Sequence, residues 1–342
     1  MALRVLHLVG SAVDDFYCEL SRLYAADCLA ATTDPSRYEF HVAYVTPDRR
    51  WRFPADLSAD GIAAAPPLSA GEALAHIETL RPGVMVPQMF CRPGMTVYRA
   101  LFDVLGVPYL GNTPDVMALT ADKARARAVV AAAGVDVPDG EVLERGEHPT
   151  IAPPAVVKPV DADNSLGVTL VHEQAGYDAA LDSAFEHSER ALVETFVPLG
   201  REVRCGILVE GGQLVCLPLE EYAVDARDTP IRLAEDKLRR DDAGRLGLVA
   251  KSTDRAWLVS RDDPLTDRVW DVARRCHVAL GARHYSLFDF RVDPSGRPWF
   301  LEAGLYNSFA TTSVIAMMSA ATGRALPELF GSMVETAMGG VR

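Results

Sequence analysis

The sequence predicts an α/β chain, α+β in part. Three observations carry this. Short apolar strands alternate with helical patterns through the first third, and strands joined by tight turns dominate after Val135. The 342 residues, 49% of them hydrophobic, are enough for two or three packed units with sizeable cores.

The elements follow in order. Residues 4–9 are an apolar strand ending at Gly10-Ser11. A helical pattern covers about 16–32, and 38–45 is the next strand. Residues 70–80 read as a helix, 84–89 as a buried strand, 95–105 as a helix before Gly106, and 108–111 as a short strand. Such alternation at short spacing predicts a mainly parallel sheet. Thr113-Pro114 breaks the pattern. Helices are then expected over 114–119 and 121–133, with Gly134 as the C-cap. Strands follow at 155–159, 168–172, 191–196, 202–209 and 213–218, and Gly211-Gly212 signals a hairpin. Residues 223–263 are charged and weakly patterned, a length that in compact domains belongs to functional or mobile loops. An amphipathic helix covers 264–280. Strands at 285–292 and 299–302 flank a turn around Asp293-Pro294-Ser295-Gly296, and a last helix covers 326–336.

The net charge of −13 argues against nucleic acid or an anionic membrane as the main partner, while leaving room for a local cationic pocket. No apolar run is long enough to span a bilayer, and the amino terminus lacks the pattern of a signal peptide. The six cysteines are scattered without a Cys-x-x-Cys pair, as expected for reduced thiols in a cytoplasmic protein.

Only four of the 34 lysines and arginines are lysines: Lys123, Lys158, Lys237 and Lys251. A chain that uses arginine so widely keeps lysine where a compact, mobile ammonium is needed, and binding phosphate is one such task. Val157-Lys158-Pro159 leads into a small polar loop with Asn164, Ser165 and Gly167, whose amides suit a phosphate. An ordinary hairpin with a solvated lysine fits the same pattern. Downstream, a strand ends at Glu194 and a second carboxylate, Glu202, follows a turn. Asp289 sits inside the apolar Leu287-Phe288-Asp289-Phe290. With the turn centred on Pro294 and Ser295, Asp289 lies opposite Phe300, and Glu302 shares that face. Two buried carboxylates need a cation. A hard ion such as Mg²⁺ is one answer, and salt bridges to Arg283 or Arg291 are the other.

Together these segments resemble the ATP-grasp superfamily, and within it the D-alanine–D-alanine ligases and related amino-acid ligases. The likeness covers most of the chain and is strongest at Leu105–Pro114 with Lys123, at Lys158 to Gly167, at Glu194 to Glu202, and at Asp289 and Glu302 followed by Thr311-Thr312-Ser313. It implies an amino-terminal parallel-sheet domain (1–115) and two α+β ATP-binding units (116–195 and 196–342). It implies that Lys123, Lys158 and Lys237 hold ATP phosphates beside Asn164 and Ser165, and that Glu194 faces adenine with the backbone of Thr195 and Val197. Glu202 would face ribose, Asp289 and Glu302 would bind Mg²⁺, and Ser313 and Asp14 or Asp15 would meet the substrate. A homodimer is also implied.

Departures from the pattern narrow the expectation. Glu302-Ala303-Gly304 lacks the family's metal-site Asn, for which Asn307 is the substitute candidate. Leu287 stands where the family has Arg, so Arg291, on the same strand face as Asp289, is the candidate for that charge. Leu238 replaces a loop tyrosine. The expected activity is ATP-dependent joining of two amino acids through an acylphosphate, in specialised metabolism. The alternatives are a housekeeping D-alanine–D-alanine ligase and a weakly catalytic ATP-binding protein. Lys251 has no assigned role.

Overall fold

The computed structural model describes residues 2–162, 165–225, 231, 239–240, 246–247 and 255–339. The first unit contains β1 (Leu3–Gly10), α1 (Asp15–Thr32), β2 (Tyr38–Val45), β3 (Trp51–Arg52), α2 (Ala59–Ala64), α3 (Ala70–Leu80), β4 (Val84–Pro87) and α4 (Arg99–Val104). Its sheet runs β3-β2-β1-β4, with β1 parallel to both β2 and β4, as the βαβ spacing predicts. The short β3, not expected from the sequence, adds antiparallel to β2 and buries Trp51. The expected strand at 108–111 is reduced to a single bridge between Met85 and Tyr109.

Helices α5 (Pro114–Thr120) and α6 (Lys123–Ala132) follow. The second unit has β5 (Gly140–Glu144), β6 (Ala155–Pro159), β7 (Thr169–Val171), α7 (Tyr177–Phe185) and β8 (Arg190–Thr195), in an antiparallel sheet ordered β5-β8-β6-β7. β5 and α7 were not foreseen. The third unit has β9 (Arg201–Glu210), β10 (Gln213–Cys216), β11 (Glu220–Tyr222), β12 (Arg239–Arg240), β13 (Leu246–Gly247), β14 (Ala256–Leu258), α8 (Pro264–Ala279), β15 (Tyr285–Val292), β16 (Pro298–Ala303), α9 (Val314–Ala320) and α10 (Leu326–Gly339). Its main sheet runs β14-β11-β9-β15-β16, with β10 also paired to β9. Gly211 and Gly212 both have positive φ, the type I′ geometry that closes the β9–β10 hairpin without splaying its strands.

Packing ties the units together. Val116 and Met117 of α5, with Ala126 and Val130 of α6, join the core beneath β9, β15 and β16. The helices expected to open the central unit thus pack on the third. At the other end, Phe330, Met333 and Val334 of α10 share a core with Val5, Tyr38 and Val84 of the first sheet. All six cysteines are buried and free. Among the described residues no helix is long and apolar enough to cross a membrane.

Candidate active site

The site is built on β15, buried along its whole length. Phe288, Phe290 and Val292 point into the core with α8. On the opposite face, Tyr285 and Leu287 belong to the core shared with α9 and α10. Farther along that face, Asp289 and Arg291 line a cleft that is partly open to solvent. One strand face thus changes from apolar core to charged wall within a few residues.

Asp289 pairs directly with Glu302, and Phe290 with Phe300, leaving Leu301 as the extra residue of a bulge. This corrects the expected register, in which Asp289 faced Phe300. The hairpin is shifted by one residue. The bulge places the two carboxylates opposite one another, and both line the cleft.

Each cleft carboxylate has a cationic neighbour. Arg204 on β9 grips Asp289 with two hydrogen bonds, from Nε to Oδ1 and, at 2.7 Å, from Nη2 to Oδ2. Burial works against the charge on Arg204, but the Asp289 carboxylate holds its pKa well above the usual arginine value. Arg291 Nη2 donates to Glu202 Oε2 at 2.6 Å, and the guanidinium lies over the Phe196 ring. Lys158 Nζ lies 2.5 Å from Glu194 Oε2, while Arg127 Nε of α6 approaches Glu194 Oε1 at 3.2 Å. Lys123 Nζ donates to the Ala162 carbonyl and lies 3.9 Å from Glu302 Oε2.

The salt-bridge alternative is therefore resolved in part. Asp289 is bridged, but by Arg204 rather than by Arg283 or Arg291. Arg283 instead donates to the Gly111 carbonyl. Arg291 shares the face of Asp289 as expected, yet its carboxylate partner is Glu202. Arg127 and Arg204 are the residues that sequence reasoning missed. Arg204 carried a signal: it alternates with the buried Val203 and Cys205 and so shares the face of Glu202. Arg127 lies on a distant helix, and nothing local ties it to Glu194.

Lys123, Lys158, Ser165, Glu194, Thr195, Val197, Glu202, Asp289, Arg291 and Glu302 are all brought to this cleft. The Thr195 amide is occupied by the Asp139 carbonyl, and the Val197 carbonyl accepts from Arg291. Asn307 does not reach the cleft lining. It is buried, and its Oδ1 accepts from the Phe309 amide. Asp14 and Ser313 are N-caps, of α1 and α9 respectively, and Asp15 opens α1; none lines the cleft. Asn164, Lys237 and Lys251 lie outside the described residues.

The donor set fits a divalent cation held jointly with phosphate. Among the described residues no group of three or more His, Cys, Asp or Glu side chains could hold a metal by itself. Two facing carboxylates leave the remaining positions to water and phosphate oxygens, which is how Mg²⁺ is usually bound beside a nucleotide. The apolar part of the lining, with Val156, Phe196, Val197 and Leu301, can receive a flat ring.

Comparison with known proteins agrees with this geometry. The chain is 28% identical over 355 residues to a D-alanine–D-alanine ligase of Nocardia farcinica, covering 93% of this chain and 94% of that one. Its fold is similar to the VanG D-Ala:D-Ser ligase of Enterococcus faecalis, with a TM-score of 0.78 at 19% identity, covering 98% of this chain and all of the other. It is also similar to the D-alanine–D-alanine ligase of Bacillus anthracis in complex with ATP, with a TM-score of 0.72 at 18% identity and 98% of each chain covered. The family model described as the D-ala D-ala ligase C-terminus matches residues 139–335. With more than half its length on that model, the chain belongs to the D-alanine–D-alanine ligase family, ATP-grasp enzymes that form carbon–nitrogen bonds.

Proposed function

We propose that the protein joins two small amino acids at the expense of ATP, with D-alanine as the first candidate for both. The observation that carries the reading is the meeting of Lys123 and Lys158, Glu194 and Glu202, and Asp289 and Glu302 in one cleft. Relatives named D-alanine–D-alanine ligase, matched along nearly the whole chain, favour this over a product of specialised metabolism.

In this reading the carboxylate of the first amino acid attacks the γ-phosphorus of ATP, and ADP leaves. The amine of the second then attacks the acyl carbon, phosphate departs, and the amine's proton goes to solvent or a base. Mg²⁺, when held by Asp289 and Glu302, supplies charge neutralisation at the phosphates. Lys158 is aimed by its ion pair with Glu194, and Lys123 by the Ala162 carbonyl, so both ammonium groups are positioned before the nucleotide arrives. Arg291 fixes the Glu202 carboxylate for a sugar hydroxyl. The lining of Phe196, Val197 and Leu301 excludes water on the base side.

One feature favours a second reading of the substrates. Gly304 and Leu287, which depart from the family's metal-site pattern, meet each other: the Gly304 amide donates to the Leu287 carbonyl at 2.8 Å. That reading is a ligase of the same chemistry with a different amine acceptor. ADP release and product mass, measured with D-alanine alone and with D-alanine paired to other amino acids, test both. Turnover with D-alanine alone supports the first reading. Turnover only with mixed pairs supports the second. No turnover with any pair, by a protein that binds ATP, contradicts both.

A further inference from the structure

Four strands of the third sheet contribute one charged row. Glu220 on β11 faces Arg204 on β9, Arg204 faces Asp289 on β15, and Asp289 faces Glu302 on β16. The row crosses the sheet at right angles to its strands, so its side chains share one face. Arg204 sits between two carboxylates and under an aromatic ring: its guanidinium carbon is 5.6 Å from the Tyr222 centroid, and Tyr222 donates its hydroxyl hydrogen to Glu220. Its side chain is 16% exposed, which leaves it little freedom to turn away.

The Arg204–Asp289 contact is a fork in which Nε and Nη2 each take one carboxylate oxygen. A cation bound by Asp289 needs a lone pair from those same oxygens. We propose that Arg204 is a positioning residue that holds Asp289 in place and competes with the divalent cation for its carboxylate oxygens. The proposal rests on the ligase reading above. Its physical content is local: a cationic side chain holds the metal ligand until a stronger cation arrives, and it stays close behind Asp289. Free metal then binds weakly, and metal and nucleotide assist one another, as linkage requires of two ligands that favour the same arrangement.

The test uses the full chain with Mn²⁺ as the probe, in the absence of nucleotide, followed by electron paramagnetic resonance. Arg204→Ala is expected to bind Mn²⁺ about tenfold more tightly than wild type, because the Arg204 fork no longer occupies the Asp289 oxygens. Its turnover is expected to fall at least about tenfold, with KM for ATP little changed, because an unheld Asp289 positions the cation less accurately. Arg204→Gln, which keeps part of the stem, serves if Arg204→Ala fails to melt cooperatively, and should also bind Mn²⁺ more tightly than wild type. Mn²⁺ binding unchanged or weakened in the folded variant overturns the proposal. Asp289→Asn is the control for the reading beneath it. If Mn²⁺ binding survives Asp289→Asn, the metal assignment of the cleft has failed. If it is lost there yet unchanged in the Arg204 variant, only the competition has failed.

Discussion

Asp289 and Glu302 face one another across β15 and β16 because Leu301 is bulged out of the ladder between them. Without the extra residue, Asp289 would pair with Leu301, and Glu302 would sit one place along, on the opposite face of the sheet. With it, two carboxylates meet in the cleft where a hard cation can bridge them to phosphate.

Neutralising either carboxylate is expected to stop the reaction while the fold survives. Asp289→Asn and Glu302→Gln should each lower ADP release by about 10²-fold or more. Thermal melts near that of wild type would confirm that the loss is chemical, and wild-type turnover in both would remove the metal assignment.

Lys158 and Glu194 act as one unit, so their losses should not add. Lys158→Ala leaves Glu194 beside Arg127 and should reduce kcat/KM for ATP by about 10²-fold. The double variant with Glu194→Gln should be little worse than the worse single change. A double-mutant cycle measures this directly, and full additivity contradicts the coupling.

Acid should loosen the seam between the first and third units. His284 Nδ1 accepts from the Gly111 amide at 3.0 Å, and burial, with Arg283 nearby, lowers its pKa to about 4. Burial lowers His277, packed against Ser286, to about 4 as well. Both values lie below the unfolded 6.5, so the unfolded chain takes protons first as pH falls. The stability from neutral imidazoles is complete above pH 6.5 and is lost between 6.5 and 4. At pH 5 each group should cost about 2 kcal/mol. Denaturant midpoints at pH 7.5 and pH 5 test this. His284→Asn, whose amide oxygen can replace Nδ1 as acceptor, should flatten the dependence.

The core under the site should be sensitive to truncation. Phe300, 1% exposed and packed edge-on against Phe290, lies two residues before Glu302. Phe300→Ala is expected to destabilise the protein by about 3–5 kcal/mol in equilibrium denaturation.

Much of this architecture was legible in the sequence, and the failures have physical causes. The alternation of β1, α1 and β2 and the two-glycine turn of the β9–β10 hairpin are local patterns, and both appear in the fold. Helix α7 was equally local: Tyr177, Ala180, Leu181, Ala184 and Phe185 form one buried stripe at helical spacing, which the strand-rich surroundings obscured. The hairpin register was misjudged because bulges depend on packing against neighbouring strands rather than on the turn alone. Lys123 and Lys158 stood out because lysine is so scarce in this chain, and Glu194, Glu202, Asp289 and Glu302 because each bounds or interrupts an apolar strand. Arg127 was not, because its contact with Glu194 joins a helix to a separate sheet. Asp14 and Ser313 were singled out by position, and both carry helix caps.

The central claim is that the cleft activates a carboxylate by phosphorylating it. Turnover with D-alanine carrying isotopically heavy oxygen in its carboxylate tests this most directly, by mass analysis of the released phosphate. The mechanism predicts one heavy oxygen atom in each phosphate, carried over when the amine displaces it from the acyl carbon. Phosphate free of the label, accompanied by peptide product, would contradict it.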